Sequence, residues 1–391
     1  MNKLSKEYSK NNRWNPFNSF KLLTHVNRWE KIEKGKDIPP PILVTVDPSN
    51  QCNISCVWCN AKKVIEQRKT QLSTISLNKI SEFLINWTVN NYKVEAVCIA
   101  GGGEPLLNKN IGNFIEKLIN GGIQVGVTTN GILIDKYIDV LSKCSWVSVS
   151  IDAGTRDTYA KLKQTTNKNF DKVINNIKML SDYSINNNTP LYASNPYQGI
   201  CWKHLIFKGN ISEILTSAKI AHEIGCRSVL YRPAGITWFG INNSQKDNEL
   251  TFNDNDIELI EDQLNKANIL ENNNFYIFSL TSRFGNKLQI SNSFNRCYAV
   301  FMTAYITPPY QLDHQDSAVF SLCCDWRGNP KLELKREVLD FKEIQRLWGS
   351  DQHWKIQEYI NPNNCPRCTF KPHNEIFENV ILKDTISKAF I

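Results

Sequence analysis

The chain has 391 residues, of which 41% are apolar and 21% are charged. This length suits one large α/β domain with a smaller addition, and the composition is that of a folded globular protein. The formal net charge of +8 permits acidic ligands or nucleic acid as partners without arguing for either. No apolar run approaches the roughly 20 residues that span a bilayer, and residues 1–13 lack the apolar core of a signal peptide. We therefore expect a cytoplasmic protein without a membrane segment.

The N-terminal part of the chain leads into a first strand. Residues 1–41 are polar, apart from a short helical pattern around 20–33, and we interpret them as an extension packed on the main domain. Three consecutive prolines, Pro39, Pro40 and Pro41, force an extended entry into the next segment. Residues 42–47 are apolar and β-branched, which predicts a strand.

Three cysteines follow this strand within eight residues, at Cys52, Cys56 and Cys59. Three thiolates on one tight loop can bind three irons of a cubane iron–sulfur cluster and leave the fourth iron open. A structural zinc loop is the alternative, although zinc motifs usually come as two separated pairs. Twelve cysteines in a chain without an export signal also indicate metal clusters rather than disulfides.

Strand-like and helix-like segments alternate from residue 42 onward. Near-continuous apolar strands separated by helices predict a parallel sheet covered by helices, and six such units would form an open, partial barrel. The stretch 194–204 is irregular and is either an insertion or a distorted fifth strand. The expected strands are 42–47, 94–100, 123–128, 146–151, one within 191–207, and 228–232, and the expected helices are 77–90, 111–120, 134–142, 170–182 and 211–224.

Domain boundaries follow from the same pattern. We expect the core at 42–235, a less regular connecting or substrate region at 236–296 with one further strand near 276–280, and a chemically distinct tail at 297–391. The fold class is therefore α/β, a partial (β/α)6 barrel with a small C-terminal addition.

A glycine-rich loop follows the second expected strand. It consists of Gly101, Gly102, Gly103 and Glu104. Glycines at a strand end let the backbone approach a ligand closely. A tight turn would also need glycine, so the position of the loop carries the argument.

Polar residues end three other expected strands, where barrel folds direct side chains at a ligand. Asn130 follows the third strand, Ser150 and Asp152 end the fourth, and Arg232 ends the sixth. Ser150 and Asp152 can equally be helix caps or turn residues. Arg232 can bind an anionic group bidentately or form a structural ion pair. The four cysteines in or beside strand segments are interpreted as core residues: Cys98, Cys144, Cys201 and Cys226.

A second set of cysteines lies in the tail. Cys365 and Cys368 form a tight C-x2-C pair, which suits an iron–sulfur cluster or zinc. Cys297 and the adjacent Cys323 and Cys324 precede this pair. The pattern supports four thiolate ligands, with either a cluster or a zinc ion between them.

The C-x3-C-x-aromatic-C motif, with Trp58 in the aromatic position, resembles the signature of the radical S-adenosylmethionine (radical SAM) superfamily. The resemblance implies that Cys52, Cys56 and Cys59 bind a 4Fe–4S cluster whose open iron is chelated by SAM. One electron then cleaves SAM to a 5′-deoxyadenosyl radical. The resemblance further implies SAM-binding roles for the strand-end residues Gly101, Gly102, Gly103, Glu104, Asn130, Ser150 and Asp152.

The tail resembles the SPASM/twitch additions of radical SAM enzymes. In those, a cysteine after the core, a hairpin and a late C-x2-C enclose an auxiliary 4Fe–4S cluster. The resemblance implies Cys297, Cys365 and Cys368 as ligands, together with one of the adjacent pair, for which the hairpin alignment favours Cys324. A fully ligated auxiliary cluster transfers single electrons, which favours oxidation, crosslinking or epimerisation over methylation.

The resulting expectation is a radical SAM oxidoreductase supplied with electrons by flavodoxin or ferredoxin. Family members with such tails act on peptides, sugars or nucleotides. Forty residues before the first strand are too few for the winged-helix domain of many peptide-modifying members, which favours a small molecule or nucleotide as substrate. Peptide crosslinking or epimerisation is the alternative. A non-catalytic metal protein that binds nucleic acid is a remote one, since it leaves the glycine loop without a role.

Overall fold

A computed structural model describes residues 23–192, 199–234, 252–279, 294–365 and 368–382. Ten strands of these residues form one sheet, in the order β12-β11-β10-β1-β4-β5-β6-β7-β8-β9. The ten strands are β1 Leu43–Val46, β4 Ala96–Ile99, β5 Gln124–Thr129, β6 Trp146–Ser150, β7 Gly199–Ile206, β8 Ser228–Pro233, β9 Tyr276–Ser279, β10 Thr303–Thr307, β11 Ala318–Ser321 and β12 Glu333–Val338.

The predicted α/β class with a parallel sheet is confirmed. Neighbouring strands run parallel from β10 through β1 and on to β9, and only β11 and β12 are antiparallel to their neighbours. The parallel part therefore has eight strands rather than six. β9 extends it at one side, and β10, from the tail of the chain, extends it at the other by pairing with β1. The tail is thus continuous with the core sheet.

Twelve α-helices of the described residues accompany the sheet. They are α1 Val26–Lys34, α2 Lys62–Gln67, α3 Thr74–Asn86, α4 Ile111–Asn120, α5 Ile138–Ser142, α6 Arg156–Lys163, α7 Asn167–Asn186, α8 Ile214–Glu223, α9 Asp254–Ala267, α10 Lys342–Leu347, α11 Asp351–Tyr359 and α12 Lys371–Ile376. None of the helices in these described ranges is both long and apolar enough to cross a membrane.

Helix α4 shows how the pattern specifies the layer. Ile111, Phe114, Ile115 and Leu118 are buried, and this i, i+3, i+4, i+7 spacing places them on one helix face. The predicted bounds of this helix are those observed. The predicted helix at 77–90 differs, because α3 ends at Asn86 and the chain then forms a small hairpin of β2 Thr88–Val89 and β3 Tyr92–Lys93.

The turn of that hairpin explains the difference. Asn90 and Asn91 have φ angles of +48° and +68°, a left-handed conformation that asparagine adopts more readily than most residues. The stretch predicted as irregular also differs: residues 199–204 lie within the regular strand β7, whereas 193–198 lie outside the described residues. The expectations for residues 1–22, and those for 235–251 and 280–293 in the connecting region, also fall outside them.

The N-terminal helix packs on the tail. Trp29 of α1 is fully buried, and its ring lies 4.9 Å from the Phe377 ring just after α12. The Arg28 side chain is also buried and donates hydrogen bonds to the Pro40 carbonyl and the Glu95 carboxylate. The first and last described parts of the chain therefore stabilise each other.

Strand packing also depends on one glycine. Gly126 of β5 is paired with Trp146 of β6, and a Cβ atom on Gly126 would lie 2.0 Å from the indole ring. We expect Gly126→Ala to lower the free energy of unfolding by about 1–3 kcal/mol, because the indole has to move. Gly112→Ala is the matched control, since its Cβ would make only ordinary contacts in α4. Equal stability of the two variants in denaturant titrations would contradict the prediction.

Candidate functional site

One large cavity lies at the carboxyl ends of the parallel strands. Its volume is about 410 Å³. Strands of a parallel sheet end at the same edge, so loops far apart in the sequence meet there. The cavity is lined by all the residues predicted for the core site, namely Cys52, Cys56, Cys59, Gly101, Gly102, Gly103, Glu104, Asn130, Ser150, Asp152 and Arg232.

The loop that carries the three cysteines is fixed by two neighbouring elements. The amide N–H groups of Ser55 and Val57 donate to the carbonyls of Lys163 and Leu162, at 3.2 and 2.9 Å. Both carbonyls lie at the end of α6. The Asn130 side chain at the end of β5 donates to Asn53 Oδ1 at 2.7 Å. These hydrogen bonds connect the cysteine loop to α6 and to the end of β5.

The three thiols are held in a poorly solvated environment. Burial raises the pKa of Cys52 to about 11, and burial also raises the pKa values of Cys56 and Cys59. The positive charge of Lys163 opposes the effect at Cys56. Thiolates are the metal-binding form of cysteine, so iron binding here must release protons.

The glycine loop packs directly against the chain that leads into the cysteine loop. The N–H groups of Gly103 and Glu104 donate to the carbonyls of Ser49 and Gln51, at 2.8 and 2.7 Å. A Cβ atom on Gly103 would lie only 1.9 Å from the Gln51 carbonyl oxygen. Glycine is thus required here by the protein's own backbone, and this N–H is already used within the chain.

Glu104 joins the glycine loop to the end of β5. Its carboxylate accepts hydrogen bonds from Thr129 Oγ1 at 2.6 Å and from the backbone N–H groups of Asn130 and Leu106 at 2.7 and 3.1 Å. Burial raises the pKa of Glu104 to about 7, against the effect of these donors. Glu104 thus holds the glycine loop and the end of β5 in place relative to each other.

A buried ion pair lies beside the cysteine loop. Lys163 Nζ of α6 is 2.5 Å from Asp152 Oδ2, and Asp152 Oδ1 accepts the Leu205 N–H at 2.7 Å. Asp152 has a φ angle of +61°, which turns the chain after β6. Burial lowers the pKa of Lys163, but attraction to Asp152 and Cys56 outweighs burial and raises it overall. Sequence reasoning did not predict a role for Lys163. Its only sequence signal is its position at the end of α6, a helix that was not predicted.

A second buried ion pair connects the tail with the first strand. Arg327 Nε lies 2.7 Å from Asp47 Oδ2 and 2.7 Å from Tyr305 Oη, and Tyr305 also hydrogen-bonds to Asp47. Asp47 follows β1 and is fully buried. Arg327 lines the large cavity together with Cys324 and Asp325 from the same hairpin. Sequence reasoning missed Asp47 and Arg327, because their contact joins residues 280 positions apart.

Two further cations line the cavity on neighbouring strands. Lys203 of β7 places Nζ 3.1 Å from Thr128 Oγ1, and Arg232 lies on β8. Burial and the neighbouring Arg232 charge lower the pKa of Lys203. A lysine inside the largely apolar run 200–206 was the sequence signal for a residue that faces a cavity. The interpretation of this stretch as irregular obscured that signal.

The tail cysteines divide differently from the prediction. Cys297, Cys323, Cys365 and Cys368 line a second, smaller cavity, whereas Cys324 lines the large one. The structure therefore places Cys323, rather than the favoured Cys324, with the other three. Cys323 and Cys324 lie in the loop after β11, where no strand alternation fixes the direction of either side chain, so alignment of the pair could not decide between them.

Protein N–H groups approach the sulfurs of this second cavity. Trp326 Nε1 donates to Cys365 Sγ at 3.3 Å, and Asn374 Nδ2 donates to Cys297 Sγ at 3.7 Å. The backbone and hydroxyl of Thr369 both bind the Asp325 carboxylate, which ties the hairpin to the C-x2-C segment. Such donors favour a charged sulfur over a neutral one.

The four cysteines predicted as core residues do not all lie in the core alone. Cys144, Cys201 and Cys226 are buried, as predicted, but Cys98 of β4 lines the large cavity and is not purely a core residue.

Within the described residues, no group of three or more His, Cys, Asp or Glu side chains is arranged around a point that would bind a single metal ion. In a cubane cluster each thiolate binds its own iron instead.

Part of the chain matches a known protein family. Residues 46–193 match the sequence model of the Radical SAM superfamily, a segment that includes the three cysteines and the glycine loop. This segment, rather than the whole chain, is similar to the radical SAM superfamily. Among curated relatives, a probable GTP 3′,8-cyclase of Methanococcus vannielii is 28% identical over 124 residues, which cover 32% of this chain and 39% of that protein. The chain thus spans less than half of the length of this relative.

Solved structures share the fold of this chain. Streptococcus suis SuiB bound to its precursor peptide SuiA has a TM-score of 0.57 at 16% identity, covering 90% of this chain and 75% of that one. anSMEcpe with bound AdoMet and the Kp18Cys peptide has a TM-score of 0.55 at 14% identity, covering 82% and 83%. The similarity extends beyond the segment matched by the family model, so the tail takes part in the shared fold.

The Asp152–Lys163 pair gives a stability prediction. We expect Lys163→Met to lower the free energy of unfolding by about 3–5 kcal/mol, because a buried carboxylate then lacks its partner. Lys266→Met is the matched control, since it removes an exposed pair with Asp262 on α9 and should cost about 0.5 kcal/mol or less. Denaturant titration of both variants measures the difference. Two similar losses would show that the Asp152–Lys163 pair is solvated like a surface pair.

Proposed function

We propose that this chain is a radical SAM enzyme that binds a 4Fe–4S cluster through Cys52, Cys56 and Cys59 and SAM in the adjoining cavity. The observation that carries the proposal is the meeting of three thiols, the glycine loop and the polar strand ends around one cavity. When bound, cluster and SAM supply one-electron cleavage of SAM to a radical that removes a hydrogen atom from an unactivated carbon.

The residues of the chain bind and orient that pair. Gly101, Gly102 and Gly103 present a close backbone surface to the cavity, and Glu104 with Asn130 keeps this surface aligned with the cysteine loop. Ser150, Asp152 and Lys163 line the wall beside Cys56. A cationic Lys163 next to the open iron position would bind the SAM carboxylate.

We further propose that the tail binds an auxiliary 4Fe–4S cluster through Cys297, Cys323, Cys365 and Cys368, in the manner of a SPASM/twitch domain. Four thiols around one small cavity, two of which receive N–H donors, fit a fully ligated cluster. A cluster without an open iron would accept a single electron from the substrate, which supports net oxidation. A flavodoxin or ferredoxin would reduce the first cluster.

Two substrate classes are supported by different observations. A small molecule or nucleotide agrees with the match to the GTP 3′,8-cyclases. A peptide substrate, with crosslinking or epimerisation as the reaction, agrees with the fold shared with SuiB and anSMEcpe, which were solved with peptides. We favour the first class, since the charges of the cavity suit a compact ionic ligand.

The core assignment is tested by Cys56→Ala in protein reconstituted without oxygen. We expect loss of 5′-deoxyadenosine formation under dithionite, because the site requires all three thiolates, while about four irons remain in the tail. Cys226→Ala, which changes a buried thiol remote from the proposed ligands, is the control and should keep both clusters. SAM cleavage at the wild-type rate by Cys56→Ala would refute the core assignment.

The tail assignment is tested by the adjacent pair of cysteines. Cys323→Ser should remove about four irons per chain, whereas Cys324→Ser should retain about eight, because only Cys323 lines the tail cavity. Iron and sulfide analysis with electron paramagnetic resonance measures both. Zinc without sulfide in the tail would replace the auxiliary cluster by a structural zinc site. Iron loss from Cys324→Ser alone would instead identify Cys324 as the ligand.

A further inference from the structure

Several charged residues of the large cavity have a partner within the chain. Asp152 is paired with Lys163, and Arg327 is paired with Asp47. Glu104 accepts three hydrogen bonds from the chain. Lys203 differs from these, since within the described ranges no carboxylate lies within ion-pair distance of its Nζ atom.

Lys203 lies among the strand ends that line the large cavity. The strand pairing places it level with Ser150 of β6, and it places Arg232 of β8 level with Leu205, two residues further along β7. All four side chains line the cavity. Lys203 and Arg232 are thus cations on the same face of adjacent strands, and their mutual repulsion contributes to the lowered pKa of Lys203. An anion between them would remove this repulsion.

We propose that Lys203 and Arg232 bind an anionic group of the substrate, either a carboxylate or a phosphate. This inference rests on the proposed function, because it assigns a substrate class to the same cavity. Arg232 supplies a planar donor fork and Lys203 a compact ammonium, a combination that suits both kinds of anion. The Thr128 hydroxyl holds Lys203 Nζ towards β5 and so fixes the depth at which the anion binds.

The position of Lys203 favours the substrate over SAM as the source of the anion. The carboxylate of SAM must lie at the open iron, next to the cysteine loop, where Lys163 interacts with Cys56. The ionisable neighbours of Lys203 are Arg232, Cys98, Cys201 and Asp152, none of which belongs to the cysteine loop. The cavity therefore has cations for two anions at different places: Lys163 beside Cys56, and Lys203 with Arg232 on β7 and β8.

The experiment uses the full chain, reconstituted without oxygen and saturated with SAM. Inorganic phosphate and succinate are titrated separately by calorimetry, and the dissociation constant of SAM is measured in parallel. We expect the wild type to bind at least one of the two anions. Lys203→Met should weaken this binding about tenfold or more, the effect of losing one charged hydrogen bond, with SAM binding unchanged.

Two further variants serve as controls. Lys203→Arg should retain anion binding, because it keeps the charge, and it provides a folded comparison if Lys203→Met loses iron or solubility. Lys219→Met removes an exposed lysine from α8, the helix that follows β7 in the chain, and should change nothing.

Three results would overturn the proposal. The first is that neither anion binds the wild type, and the second is that both Lys203 variants bind the anions as the wild type does. The third is that Lys203→Met weakens SAM instead, which would assign the cation to the SAM carboxylate. Failure of the proposed function is separately visible: a protein that holds no cluster and cleaves no SAM, but binds anions through Lys203, would refute that function and keep this site.

Discussion

The buried contact between Asp47, Tyr305 and Arg327 is the interaction on which the position of the tail relative to the first strand depends. Asp47 directly follows β1, Tyr305 lies in β10, and Arg327 belongs to the tail hairpin. A charge in this position cannot be left alone, because an unpaired buried ion costs several kcal/mol. The pair therefore fixes the tail against the edge of the core sheet, and it brings Cys324 and Asp325 to the same cavity as the cysteine loop.

The parallel pairing of β10 with β1 has the same consequence at the level of the backbone. It converts the tail from a separate appendage into an extension of the sheet. The second group of cysteines then lies beside the first cavity rather than at the end of a flexible linker.

Two buried ion pairs of the large cavity differ from Lys203 in how their charges are compensated. Pairs with internal partners, Asp152 with Lys163 and Asp47 with Arg327, maintain the walls. Lys203 instead has a hydroxyl as its partner. Keeping a cation in such a place is unfavourable unless a ligand compensates it. An anionic ligand would offset this cost.

The sequence alone determined the features that depend on local pattern and spacing. The α/β class, most strands, the bounds of α4 and the residues around Cys52, Cys56, Cys59 and Gly101–Gly103 followed from periodicity and from motifs that occupy one loop each. Tertiary structure decided everything that depends on which strands become neighbours. It added β9 and β10 to the sheet, paired Asp47 with Arg327, turned Cys98 towards the cavity and grouped Cys323 with the other tail cysteines. The physical reason is that strand order and the side to which a side chain points are set by packing between distant segments, which leaves no periodic trace in the chain itself.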